Sequence, residues 1–267
     1  MRELEDFIVA QTGKSISVAF HDLETGMEYL CRADESFHAA STMKVAVMAE
    51  VFHQAQQGKL SLEQQIPVIN SFPSLAAGNP FSNFVEDDSE TSLYERVGQA
   101  EQIRELTRLM IVRSSNLATN ILIQHVGAAN VRSFLDELSV KGLVVLRGPE
   151  DNAAFRQCLN NAATAHGLMQ LLLAIAEGRV ASKQASEEMI RILLRQEFKD
   201  GVGPGVPGDV LVASKSGWTG DFFHDAGIVF PPKREPYVLA IMTKGYPDEP
   251  SAREAMKTIS SVVYRNL

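Results

Sequence analysis

Three short motifs in this chain combine serine, lysine and asparagine in patterns suited to acyl transfer. The first, Ser41-Thr42-Met43-Lys44, opens a segment with helical periodicity, so Ser41 and Lys44 are expected one turn apart on the same face. Burial lowers the pKa of a lysine, and a neutral amine beside a hydroxyl can take its proton. The spacing therefore fits a nucleophile, Ser41, with Lys44 as its base. On spacing alone, a capping serine followed by a surface lysine is the favoured explanation.

The second motif, Ser114-Ser115-Asn116, lies between two segments with helical periodicity. Serine and asparagine are preferred at helix N-caps, so an ordinary cap is one interpretation. In the functional interpretation, the Ser114 hydroxyl relays a proton and the Asn116 amide contacts a substrate carbonyl.

The third motif, Lys215-Ser216-Gly217, is expected at the end of a β-rich run. A lysine at a strand end is usually a solvated edge residue. In the functional interpretation, Lys215 and Ser216 face a substrate carboxylate and Gly217 lets a ligand approach the backbone. The N–H of Trp218 would then point into the site.

Two periodicities along the chain predict an α+β fold. Alternating apolar residues indicate strands at 15–22, 27–31, 210–214, 226–230 and 237–243. Apolar residues three and four apart indicate helices at 41–57, 103–112, 116–125, 129–138, 163–177, 186–197 and 251–264. Because a lone hairpin buries little surface, the early strands should join the late ones in a five-stranded antiparallel sheet flanked by helices.

The domain organisation follows from this order of elements. We expect one domain over residues 1–267, with an α/β lobe from 1–55 and 196–267. An all-helical lobe, 56–195, is inserted between these parts. A cleft between two lobes is a natural place for a ligand.

Composition narrows the class of protein. The 267 residues are 45% hydrophobic and 22% charged, which excludes a mostly disordered chain. The net charge of −8, without a basic block, argues against a nucleic-acid partner. The sequence contains no run of about 18 apolar residues, so no membrane span is predicted. Residues 1–11 have the spacing of an amphipathic helix rather than a signal peptide, so the compartment stays open between the cytoplasm and export after removal of a leader.

The cysteines and the remaining motifs indicate no metal or organic cofactor. Cys31 and Cys158 lie far apart and lack the spacing of a metal site. Two buried or half-buried free thiols are expected, with a bridge between them as the alternative. We expect a monomer that acts on a small molecule.

Taken in order, S-x-x-K, S-x-N and K-[ST]-G resemble the motif set of the active-site serine, penicillin-recognising enzymes. Over nearly its whole length the chain is similar to class A-like serine β-lactamases, in the branch of β-lactamase-related serine hydrolases. The resemblance implies their fold, an antiparallel sheet flanked by helices beside an all-helical lobe. The resemblance implies that Ser41 is the acylated nucleophile, that Lys44 is its base and that Ser114 shuttles a proton. Asn116 would contact the acyl-amide side chain of the substrate, and Lys215 with Ser216 would hold the substrate carboxylate. The backbone N–H groups of Ser41 and Trp218 would form the oxyanion hole.

This sequence departs from the class A pattern in two places that bear on catalysis. Ser115 stands where those enzymes usually have aspartate, which removes a buried charge. Class A enzymes carry a Glu-x-x-Leu-Asn loop whose glutamate activates the deacylating water. The matching stretch here starts at Arg156, and an arginine cannot act as a general base because it stays protonated. Asn160 ends this stretch and still offers an amide for a water. Glu150, earlier in the same loop, is the alternative base.

Three functions remain open at this point. The first is a β-lactamase that acylates Ser41 and deacylates slowly. The second is a related peptidase or esterase that acts on an acyl-peptide-like substrate. The third is a sensor domain that binds β-lactams without hydrolysing them.

Overall fold

The computed structural model describes residues 2–76 and 78–267 and has an α+β architecture around one antiparallel sheet. Its strands are β1 (Ser15–Asp22), β2 (Glu28–Cys31), β3 (Phe37–His38), β4 (Gln65–Pro67), β5 (Ala100–Gln102), β6 (Leu143–Val144), β7 (Ala162–Ala163), β8 (Leu211–Thr219), β9 (Phe222–Phe230) and β10 (Tyr237–Lys244). Five of them form the main sheet in the order β2-β1-β10-β9-β8, with every neighbouring pair antiparallel. The predicted five-stranded sheet, with early and late strands joined, is confirmed.

Helices cover both faces of the sheet. They are α1 (Arg2–Ala10), α2 (Lys44–Gln56), α3 (Ile103–Val112), α4 (Asn116–Val126), α5 (Ala128–Glu137), α6 (Asn152–Arg156), α7 (Ala165–Ala176), α8 (Lys183–Leu194) and α9 (Glu249–Arg265). On one face, α1 and α9 enclose an apolar core with the sheet. On the other face, α7 packs against β1, β9 and β10 and also contacts α2 and α8. The predicted lobe boundaries stay a prediction, since α7 and α8 touch the sheet as well as their helical neighbours.

Among the described residues, the helices are too short or too polar to cross a membrane.

The two strands nearest the site are longer than predicted. Strand β8 continues to Thr219, so Lys215-Ser216-Gly217 lies inside a strand rather than at the predicted strand end. Strand β9 starts at Phe222, which pairs with Thr219. The two-residue turn between them includes Gly220 at φ +56°, a conformation that glycine adopts readily. Glycines on both sides of Trp218 are typical of a loop, but the structure has a tight hairpin there.

The prediction of two free thiols is correct, but the predicted burial of Cys158 is wrong. Both thiols are free, and Cys31 is half-buried as expected. Cys158 is exposed, because it follows the short helix α6 in a surface turn at φ +59°.

Candidate functional site

The nucleophile candidate lies in a tight turn before helix α2, and the predicted helix from residue 41 is therefore wrong at its start. A 3-10 turn spans Ala40–Met43, and α2 begins only at Lys44. Side chains three residues apart eclipse in 3-10 geometry, so a turn of this kind favours an approach of the Ser41 hydroxyl to Lys44. Ser41 is half-buried, whereas Lys44 is 1% exposed.

The amine of Lys44 is held by the second motif. Its Nζ lies 2.6 Å from the Ser114 carbonyl oxygen, 3.2 Å from Ser114 Oγ and 2.8 Å from Asn116 Oδ1. Burial lowers the pKa of Lys44 to about 7, against the opposing charges of Asp88 and Glu150. A neutral amine donates two hydrogen bonds and accepts one. Of its three partners only the Ser114 hydroxyl has a proton to give, so proton exchange between Lys44 and Ser114 is built into the contact.

Asn116 connects Lys44 to a carboxylate in the loop before α6. Its Oδ1 accepts from Lys44, and its Nδ2 donates to Glu150 Oε1 at 2.7 Å. Glu150 Oε2 accepts a longer bond, 3.3 Å, from the backbone N–H of Phe84. Burial raises the pKa of the Glu150 carboxyl, and the hydrogen bond from Asn116 opposes that rise. The amine and the carboxylate are therefore joined by a single amide side chain.

Helix α4 also holds the loop that carries Glu150, through a second asparagine. Asn120, one turn after Asn116, donates from Nδ2 to the Pro149 carbonyl oxygen at 3.0 Å. A Cβ on Gly148 would collide with Asn120 Oδ1, so a larger residue there would displace the Asn120 side chain. Sequence reasoning missed Asn120, although two asparagines at i and i+4 on one helix face were a usable signal.

Backbone strain is concentrated at these residues. In the described part of the chain, seven non-glycine residues have positive φ, and three of them lie here: Ala40 at +46°, Ser114 at +56° and Glu150 at +67°. Ala40 directly precedes Ser41. Such conformations cost of order 1–3 kcal/mol each and cluster at functional sites, because the surrounding structure must impose them.

A cleft opens on both sides of Ser41. One arm is a cavity of about 340 Å³ whose walls include Ser41, Lys44, Asn116, Glu150 and Trp218. A second arm of about 310 Å³ shares Ser41, Asn116 and Trp218 with the first and adds Ser114. The structure thus brings five predicted catalytic or oxyanion residues to one cleft.

Gly217 lies close to the turn that carries Ser41. A Cβ there would lie 2.6 Å from the Ser41 backbone nitrogen and 2.9 Å from that of Thr42, while its predicted role beside a ligand stays a prediction. The missing side chain therefore lets strand β8 pack against the turn that carries Ser41. Trp218, the next residue along β8, lines the same cleft as Ser41.

Replacing Gly217 with alanine should push β8 away from that turn. A displacement of about 1 Å at a reacting group lowers a rate about 100-fold, so we expect a loss of that order in the acylation rate, with a lower melting temperature. Gly208→Ala is the matched control, because a Cβ at Gly208 meets no atom within 4 Å. Stopped-flow acylation and thermal unfolding measure both effects. Equal rates for the two variants would show that this close approach is not needed.

The other two residues of the third motif lie behind the cleft wall. Lys215 is 1% exposed, and its Nζ donates to the Ser216 carbonyl oxygen at 2.8 Å. Burial, followed by the neighbouring charge of Lys44, lowers the pKa of Lys215 well below its ordinary value. The Ser216 hydroxyl donates to Gln196 Oε1 at 3.2 Å. Their predicted contact with a substrate carboxylate stays a prediction.

Two other residues predicted in the loop lie outside the cavity wall. Arg156 ends α6 and is exposed. Its predicted replacement of the loop glutamate stays a prediction. Asn160 Oδ1 accepts from the Arg147 guanidinium at 2.8 Å, and the same guanidinium donates to the Leu159 carbonyl oxygen. Asn160 therefore closes the loop through Arg147, which sequence reasoning did not single out.

Comparisons with known proteins show which family this chain belongs to. The model of the beta-lactamase enzyme family matches residues 1–267. A beta-lactamase of Streptomyces fradiae is 26% identical over 237 residues, which cover 87% of this chain and 74% of that protein. A beta-lactamase of Amycolatopsis lactamdurans is 29% identical over 268 residues, or 94% of this chain and 80% of that protein.

Solved structures show the same fold. A point mutant of PBP-A, solved as an acyl-enzyme complex with penicillin G, superposes with a TM-score of 0.85 at 24% identity, covering 99% of this chain and 94% of that one. An ancestral class A beta-lactamase also has a TM-score of 0.85, at 22% identity and with 100% and 99% coverage. A family model that matches the whole chain, with curated relatives over most of it, shows that this protein belongs to the beta-lactamase enzyme family.

Proposed function

We propose that this chain is a serine β-lactamase that opens β-lactam rings through an acyl-enzyme on Ser41, with Glu150 activating the water that releases the product. The observation that carries the proposal is the hydrogen-bonded line from Ser114 through Lys44 and Asn116 to Glu150, in the cleft that Ser41 lines. Family membership supports β-lactams as the substrate class.

In the acylation half, the Ser41 oxygen bonds to the lactam carbonyl carbon and the carbon–nitrogen bond of the ring breaks. Neutral Lys44 takes the Ser41 proton. Ser114 gives its hydroxyl proton to the departing ring nitrogen and is reprotonated by Lys44, whose Nζ lies 3.2 Å from Ser114 Oγ. The negative charge that develops on the carbonyl oxygen is stabilised by the backbone N–H groups of Ser41 and Trp218. Loss of one such donor typically costs about 100-fold or more in rate.

In the deacylation half, a water adds to the ester carbonyl carbon while Glu150 accepts its proton. The bond to Ser41 then breaks, and the proton that Glu150 accepted returns to the serine oxygen, so that Glu150 is again a carboxylate. A carboxyl whose pKa is raised by burial is suited to this work, because general bases act best when their pKa is near the working pH. The exposed Arg156 is not part of this step, so slow deacylation does not follow from its presence.

The substrate class is tested by comparing turnover of benzylpenicillin with turnover of a D-Ala-D-Ala peptide and a simple ester on the same preparation. We expect sustained hydrolysis of the β-lactam that exceeds hydrolysis of the other two. Faster turnover of the peptide or the ester would replace the proposal with a peptidase or esterase. A stable penicillin adduct with no turnover would replace it with a sensor.

The rate of acylation should rise through pH 7. Lys44 must be neutral to take a proton, and burial sets its pKa to about 7. Below that pH the amine is protonated and the acylation rate should fall about tenfold per pH unit; above it the rate should level off. Single-turnover acylation between about pH 5 and 9, started by pH jump, measures the profile. A flat profile across this range would exclude Lys44 as the base.

A further inference from the structure

A buried carboxylate lies under the second motif, although the motif itself has none. Asp88, 7% exposed, comes from the loop before β5, far from Ser115 in sequence. Its Oδ2 accepts four bonds: from the Asn116 and Leu117 backbone nitrogens at 2.9 Å each, from Ser115 Oγ at 3.3 Å and from the Tyr94 hydroxyl at 3.1 Å. The same carboxylate is also bonded to its own loop, because Asp88 Oδ1 accepts from the Glu90 backbone nitrogen at 3.1 Å.

These bonds fix the segment that holds the base. Ser114 has the strained φ of +56°, and its carbonyl oxygen and hydroxyl both contact Lys44 Nζ. Asn116, the next but one, supplies the third contact to Lys44 and the bond to Glu150. Asp88 ties the backbone of Asn116 in place, and its charge also suits the positive end of the α4 dipole. One carboxylate from a distant loop thus sets the backbone on which both catalytic contacts depend.

We propose that Asp88 is a positioning residue that supplies from the loop the buried charge that Ser115 leaves out of the second motif. The negative charge comes from a different position in the sequence but lies next to residue 115 in the structure, since Ser115 Oγ lies 3.3 Å from the Asp88 carboxylate. An aspartate at 115 would occupy the N-cap of α4, where its carboxylate can accept from the first-turn N–H groups, as Ser115 Oγ already does from Ala118. The two positions are therefore alternatives for a single negative charge.

This exchange of positions predicts an unusual pattern in a two-residue cycle. Asp88→Asn removes the charge and should slow acylation roughly tenfold to 100-fold, the range for a hydrogen bond to a charged group. Ser115→Asp, in the presence of Asp88, puts two carboxylates in contact and should also slow acylation and lower the melting temperature. The double variant restores one charge and should come within about threefold of the native rate. Asp136→Asn, an exposed carboxylate on α5, is the control and should leave rate and melting temperature unchanged.

A pH profile separates positioning of the base from support of the fold alone. The charged groups that act on the Lys44 amine are Asp88 and Glu150, and both raise its pKa. Lys215, the other buried lysine nearby, has its own pKa lowered by burial and by Lys44. Removing the Asp88 charge therefore lowers the Lys44 pKa further, and the acid limb of the acylation profile should move to lower pH. The double variant should move it back. A purely structural loss lowers the plateau without moving the limb.

The experiment measures thermal unfolding and the pH profile of penicillin acylation for the native enzyme and the four variants. Rescue in the double variant together with a reversible shift of the acid limb is the expected result. An Asp88→Asn variant with native rate and profile, or a double variant no better than Asp88→Asn, would overturn the inference. The acylation readout rests on the proposed function, but the unfolding cycle does not. A native enzyme that formed no penicillin adduct would contradict that function and leave the unfolding cycle as the test of Asp88.

Discussion

Replacing Ser41 with alanine is expected to abolish covalent labelling by penicillin and to lower β-lactam turnover on the order of 10⁶-fold. Ser41 is the only serine of the first motif, and it lines both arms of the cleft. The 3-10 turn places it three residues before Lys44, whose amine is buried and has a pKa lowered to about 7. Since the oxyanion-hole N–H groups belong to the backbone, they survive the substitution, and a small residual rate should remain.

The control for this variant is Ser133→Ala, on the exposed side of α5. Labelling and turnover should match the native enzyme there. Intact-mass spectrometry reports the adduct, and the change in ultraviolet absorbance on ring opening reports turnover. A Ser41→Ala protein that still gained the mass of penicillin would move the nucleophile to another residue.

Replacing Glu150 with glutamine is expected to trap the acyl-enzyme. Glutamine keeps an oxygen that can accept from Asn116 Nδ2, so the contact at 2.7 Å and the position of the loop should survive. It has no basicity, so the deacylation rate should fall by a factor of about 10² to 10⁴ while acylation stays within a few-fold of native. The adduct should then persist for many minutes after excess penicillin is removed.

Arg156→Gln is the matched control in the same loop. Arg156 is exposed at the end of α6, so its replacement should leave both half-reactions unchanged. For the same reason Arg156→Glu should not speed deacylation, because its carboxylate would lie in solvent. Native deacylation in Glu150→Gln, or equal slowing in Arg156→Gln, would remove Glu150 from the mechanism.

The sheet and the three motifs could be predicted from the sequence because both depend on local patterns. Strand β1 was predicted with its observed bounds, and α3 likewise, since each has a clear periodicity. The strand through Lys215 was cut short because glycines on both sides of Trp218 are typical of loops. Here one glycine makes room for the Ser41 backbone and the other forms the hairpin turn.

The parts of the site that escaped prediction depend on contacts between distant segments. Nothing in the acidic run around Asp88 indicates that it binds a helix end 28 residues later. The Leu-Asn pair matches Arg156 to the glutamate of the class A loop, but it does not predict the course of this loop. The chain reverses at Glu150 with φ +67° and is closed by Arg147 and Asn160. Such a loop is set by side-chain bonds to its own backbone, which no periodicity reveals.

The most direct test of a Ser41 acyl-enzyme is an intact-mass time course of the native enzyme mixed with a roughly fivefold excess of benzylpenicillin at about pH 8, where Lys44 is mostly neutral. We expect an adduct of one penicillin within the first seconds, which disappears as the free antibiotic is consumed, in step with ring opening. The same mixture with Glu150→Gln should keep the adduct. Ring opening without any adduct, or a native adduct that outlasts the antibiotic as long as that of Glu150→Gln, would contradict a Ser41 acyl-enzyme cleared by Glu150.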